Sequence, residues 1–164
     1  MQLWMNELRE GWEREHQGVD ASALVPLAYL ARMAILLEDF ESEVLEPHGL
    51  RPSDYSVLAM LRRSGAPYSL KPSQLYSELR RSSGGMTKIL KRLEGLGLVE
   101  RQPDPQDGRG SLITLTASGL ELQERAFLAL VVAAESRLAP LSRDGRAFVE
   151  QGLGSFAQAF EVTR

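Results

Sequence analysis

Cysteine is absent from the 164-residue chain, which excludes disulfides, thiolate metal sites and thiol-based redox sensing and fits a reducing cytoplasm. Histidine is scarce: His16 and His48 alone are too few for a histidine-rich metal site. Long hydrophobic runs are missing too. The longest apolar stretch, Ala23 to Leu37, is broken by Arg32 and falls short of the ~20 residues a membrane span needs. No basic-then-apolar segment opens the chain, so a soluble, cytoplasmic protein with no membrane partner is expected. There is no nucleophile–base pair, metal constellation or phosphate loop. The expectation is therefore no enzyme, no cofactor, no catalytic residue and no metal ligand.

A surplus of positive charge is also lacking, since the net charge is −3. Its distribution is uneven. Residues 49–117 carry eleven Lys/Arg against six Asp/Glu, a net of +5, while the remainder carries eight against sixteen, a net of −8. A basic lobe that neutralises phosphates beside an acidic lobe that stays away from them suits a nucleic-acid binder.

Apolar spacing organises the chain into helices. Leu3 to His16 places Trp4, Leu8 and Trp12 on one face, which predicts a short helix docked by its tryptophans. Ala23 to Glu46 predicts a long helix, apolar nearly all round through Leu37 and acidic beyond it, ended by Pro47 and Gly49. A helix without a wet face must be surrounded, and a chain of this size supplies few neighbours, so burial in a homodimer is expected. Helices follow over Ser53 to Arg63, Pro72 to about Arg80, and from a cap at Ser82 or Ser83 to about Glu94, stopped by Gly95 and Gly97. Leu98 to Gln102 and Ser111 to Leu115 have strand composition, joined by the turn-rich loop of residues 103–110. Thr116 and Ser142 can cap two last helices, to about Leu138 and to Phe160. A basic amphipathic helix running into a two-stranded ribbon is the local grammar of a winged helix-turn-helix. The expected fold is mainly α with a small β-hairpin wing. Residues 49–116 would form the DNA-binding lobe, and residues 1–48 and 117–164 a helical dimerisation lobe of the same compact chain.

On the helix after Ser82, Thr87 and Lys88 fall on the solvent side between inward Met86 and Ile89, where they can reach base edges or bind phosphate alone. Arg81, Ser82 and Ser83 at its entrance, with Lys91 or Arg92 further along, are placed for phosphates. Arg109 at the ribbon tip can enter the minor groove or touch phosphate, with Asp107 holding it. Asp104 and Asp107, on an exposed loop, are expected as turn formers and arginine anchors. Trp12, Tyr29, Met33 and Tyr55 could line an effector pocket or be plain core.

Four segments resemble the MarR (multiple antibiotic resistance regulator) family of bacterial transcription regulators. They are Gly49-Leu50-x-Pro52-Ser53-x-Tyr55-x-Val57-Leu58, Leu93-Glu94-x-x-Gly97-Leu98-Val99-x-Arg101, Asp104-Pro-x-Asp107-x-Arg109 and Leu115-Thr116-x-x-Gly119. The resemblance implies a homodimer that sets two winged helices on successive major grooves of a pseudo-palindromic double-stranded DNA operator. It further implies a repressor released by a small aromatic or anionic effector. Two departures stand out. Gly84-Gly85 opens the recognition helix where many relatives carry larger polar residues, through which either the backbone comes close to DNA or the first turn is loosely wound. Gly108 leaves a single arginine near the wing tip. The helix bearing Trp12 is similar to a urate-responsive subgroup, but that subgroup's aspartate aligns with Ser56 here, so urate is not carried over. The other reading is a winged-helix protein-interaction module without DNA readout.

Overall fold

In the computed structural model the backbone is described for residues 2–105 and 107–161, and side chains for 3–105 and 110–161. Helices dominate: α1 (Gln2–Glu15), α2 (Leu24–Leu45), α3 (Pro52–Arg63), α4 (Pro72–Glu78), α5 (Ser83–Gly95), α6 (Ala117–Leu138) and α7 (Arg143–Glu161). Three strands, β1 (Ser69–Leu70), β2 (Val99–Asp104) and β3 (Asp107–Leu115), form an antiparallel sheet in the order β1-β3-β2. The chain divides into two compact units, Met1–Ser56 and Val57–Arg164.

In the first unit, α1 turns Met5 inward and leaves Trp4 and Trp12 each 47% exposed. Among the described residues of α1 the buried contact is Met5, not the expected tryptophans. Every residue of α2 from Ala31 to Asp39 is exposed in the single chain. A turn of 3-10 helix (Glu46–His48) ends α2. At the start of α3 the buried Asp54 carboxylate accepts the Arg51 amide at 3.1 Å, which satisfies one of the donors a helix start leaves open.

The second unit is built around the fully buried Val57, Leu58 and Leu61 of α3, with Leu75, Met86, Leu93 and Ile113 from the helices and sheet. Two parts of the sheet depart from expectation. Ser69 and Leu70 join it as a third strand opposite Thr114 and Ile113. A strand of two residues is too short to leave a periodic signal. The ribbon is also longer than expected, running to Asp104 and resuming at Asp107. Pro103 is tolerated because β2 is an edge strand and the register is irregular at Pro103/Asp104.

Where the ribbon leaves for α6, Thr116 caps the helix by accepting the Gly119 amide at 3.0 Å, and both Thr116 and Ser118 hydroxyls donate to the Gly97 carbonyl. A Cβ at Gly119 would run into the Leu98 carbonyl oxygen. The glycine is thus demanded by the close approach of α6 to the strand that follows α5.

Candidate nucleic-acid interface

The helix-turn-helix pair is α4 and α5. The α4 helix stops at Glu78 instead of near Arg80 because its end is closed by two backbone bonds, Arg80 N to Ser77 O at 3.2 Å and Arg81 N to Tyr76 O at 3.0 Å. That closure requires a left-handed residue, and Arg80 supplies it with φ +48°. For a residue with a side chain this conformation costs on the order of 1 kcal/mol, so Arg80 holds a strained corner at the turn.

The cap of α5 is Ser82, whose Oγ accepts the Gly85 amide at 3.1 Å. One face of α5 is buried through Met86, Leu90 and Leu93; Ile89 is half-buried. The opposite face exposes Thr87, Lys88 and Lys91, and Arg81, Ser82, Ser83 and Gly84 are exposed at its entrance. Arg92 is half-buried toward the other end of the helix. The Thr87 hydroxyl donates to the Ser83 carbonyl at 2.8 Å, so in the free protein it presents its methyl and its acceptor lone pairs outward.

The two entrance glycines differ. A Cβ at Gly85 would meet the capping Ser82 Oγ at 3.1 Å, whereas at Gly84 it would meet nothing within 4 Å among the described residues. Gly85 makes room for the cap. Gly84 is not required by the fold.

At the other end, α5 closes with Gly97 N to Glu94 O and Leu98 N to Leu93 O, both at 3.0 Å, around the left-handed Gly97. This closure turns the chain straight into β2 and brings Arg101 back against the helix. Its Nε lies 3.3 Å from a Glu94 carboxylate oxygen, and its Nη1 donates to the Ser111 hydroxyl of β3 at 2.9 Å. Arg101 therefore ties α5 to both strands of the ribbon. Nothing in the spacing of Glu94 and Arg101 marks them for this role, because their seven-residue separation becomes proximity only across the closed turn.

Asp104 is not on an exposed loop. It is 5% exposed, and its Oδ2 lies 2.9 Å from the Lys71 ammonium at the start of α4. Lys71 is thus one cation that meets this carboxylate. The side chains of Asp107 and Arg109 lie outside the described residues.

Of the four candidate effector residues, all in the first unit, Trp12 stacks on His16 with ring centroids 5.6 Å apart and lines an open depression on α1 with Trp4, Leu8 and Gly11. Tyr29, Met33 and Tyr55 do not line it; Met33 is exposed, and Tyr29 and Tyr55 are half-buried. The Ser56 hydroxyl donates to the Pro52 carbonyl at 2.8 Å.

A family model described as the MarR family matches residues 48–110, from the end of α2 into the ribbon. An HTH-type transcriptional repressor of Mycobacterium tuberculosis is 34% identical over 136 residues, covering 79% of this chain and 94% of that protein. The chain belongs to the MarR family of winged-helix transcription regulators. The HTH-type transcriptional regulator PecS of Dickeya dadantii is 29% identical over 152 residues, 93% of this chain and 92% of PecS. Among solved structures, a mutant MarR of Escherichia coli complexed with operator DNA matches with a TM-score of 0.71 at 27% identity, covering 82% of this chain and 95% of that one. As expected from sequence, the fold is mainly α with a small antiparallel β wing. PecS is a transcriptional regulator and the mycobacterial relative a transcriptional repressor.

Proposed function

We propose that the protein is a homodimeric, sequence-specific regulator that binds a pseudo-palindromic double-stranded operator and represses transcription until a small aromatic or anionic effector releases it. The single observation that carries the DNA reading is the outward face of α5, where Thr87, Lys88 and Lys91 stand free of the core on a capped helix tied to the ribbon through Arg101. Lysine can donate to guanine O6 and N7, and threonine can offer its methyl and oxygen to a neighbouring base. Arg81, Ser82, Ser83 and the backbone at Gly84 and Gly85 would meet phosphate, with Lys91 and Arg92 further along and Asp107 and Arg109 at the wing. The MarR relative complexed with operator DNA supports this placement.

Homodimerisation is supported within each unit separately by apolar side chains left in solvent: Met33, Ile35 and Leu37 on α2, and Val132, Phe148, Leu153 and Phe160 on α6 and α7. Release by an effector acts through its preference for the conformation that does not bind DNA, with Trp12, Tyr29, Met33 and Tyr55 as the proposed pocket.

Mobility shift with a salt titration tests the DNA reading. Binding should weaken steeply as salt rises, because phosphate contacts release counterions. Lys88→Ala should cost about 1–3 kcal/mol and relax discrimination at one base pair of each half-site. If the ranking of operator variants is unchanged by Lys88→Ala, base readout does not lie with that residue.

A further inference from the structure

We propose that Lys71 and Asp104 form a strut that sets where the wing tip sits, so that Lys71 acts as a positioning residue for DNA binding; this rests on the DNA-binding reading above. Burial at Asp104 is out of keeping with its surroundings. Arg101, Gln102, Pro103 and Pro105 beside it are exposed, whereas the Asp104 side chain is 3% exposed. A carboxylate taken out of water is unfavourable unless a cation meets it, and the Lys71 ammonium does so at 2.9 Å.

The location of the pair gives it leverage. Asp104 is the last residue of β2, just past the irregular step at Pro103, and it pairs with Asp107, the first residue of β3. Whatever fixes Asp104 fixes the outer end of the ribbon. At the other end, Lys71 directly follows β1, which is paired to β3 through Leu70 and Ile113. Its amide donates to the Gln74 side chain at 2.9 Å, which holds the Lys71 backbone at the start of α4 while the ammonium reaches the ribbon. The short third strand thus has a use: it carries a cation alongside the wing. Arg101 ties the ribbon to α5, and Lys71 ties its far end to α4, so the wing is referenced to both helices of the DNA-reading pair.

Direct phosphate binding by Lys71 makes the opposite prediction for one variant. If Lys71 served DNA directly, Asp104→Asn would release it and strengthen binding. If it serves the wing, Asp104→Asn loosens the tip and weakens binding.

The test uses the full-length protein. Hydrogen exchange, read without DNA, should show faster exchange at the amides of residues 102–112 in Lys71→Met and, less strongly, in Asp104→Asn, with α6 and the melting temperature unchanged. Hydroxyl-radical footprints should lose the outer protections given by the wing and keep those given by α5, with affinity down about tenfold in Lys71→Met and the ranking of base variants intact. Lys71→Arg should restore both readouts. Unchanged exchange at the ribbon, tighter binding by Asp104→Asn, uniformly faster exchange with a lower melting temperature, or no rescue by Lys71→Arg would each overturn the strut. A wild-type protein that fails to bind DNA overturns the DNA reading instead, while the exchange arm still decides whether the pair holds the ribbon.

Discussion

Gly84 and Gly85 stand side by side at the entrance of α5, and only their surroundings tell them apart. Gly85 leaves room for the Ser82 cap, while the Cβ position of Gly84 opens onto solvent. Under the proposed DNA reading, a glycine that the fold does not need at the start of α5 would let a phosphate come close to the backbone. Gly84→Ala is therefore expected to raise the unfolding free energy by about 0.5–1 kcal/mol, through the reduced entropy of the unfolded chain and better helix propensity. The same variant should lose operator affinity. Denaturant titration and mobility shift on one preparation check both halves. A stabilised variant that binds normally would assign Gly84 to a loosely wound turn alone. The doublet could be read as unusual from sequence, but not divided, because the division depends on where a serine hydroxyl sits three residues earlier. Thr87 teaches the same lesson: its outward position follows from periodicity, but its bond to the Ser83 carbonyl does not.

Among the elements, α2 shows most plainly how composition and environment combine. Its acidic second half places Glu41 where partial burial, and then the nearby Glu38 charge, raise its carboxyl above the ordinary 4.5. The folded protein therefore holds that proton more tightly than the unfolded chain does. Stability contributed by this group rises as pH falls through the raised folded value and levels off below 4.5, the unfolded value. Glu41→Gln should accordingly stabilise the protein at neutral pH, by no more than about 0.5 kcal/mol because solvent screens the site. The advantage should vanish as pH drops toward the ordinary carboxylate range. Thermal melts of both proteins across pH 4 to 8 provide the measurement, and a gap that widens on acidification would contradict the assignment. The extent of α2 was legible from its apolar run and from Pro47 and Gly49. The burial of Glu41 was not, since it depends on neighbours brought by the fold.

For the whole molecule, the decisive feature is apolar surface that the single chain leaves wet, with Phe148 77% and Val132 70% exposed. Isolated exposed leucines and valines are ordinary, but this many on the flanking helices calls for cover, and under the proposed homodimer a second copy of the same chain would supply it. Introducing a charge there with Phe148→Glu and Leu153→Glu together should convert a dimer to a monomer in sedimentation. Operator affinity should fall with it, because two half-sites are then no longer bound by one linked pair. A double variant that sediments like the wild type would remove α7 from the proposed interface.

By itself, the sequence determined the order of the helices, their caps at Thr116 and Ser142 and a cap at Ser82 or Ser83, the ribbon, and the outward face of Thr87 and Lys88. All of these follow from periodicity and short-range hydrogen-bonding chemistry within a few residues. Tertiary structure decided the third strand, the burial of Met5 in place of the tryptophans, the bond network of Arg101, and the pairing of Asp104 with Lys71. Each of these joins residues of separate elements that the folded chain brings together, or depends on what packs over a side chain, and neither is written in the spacing of one segment.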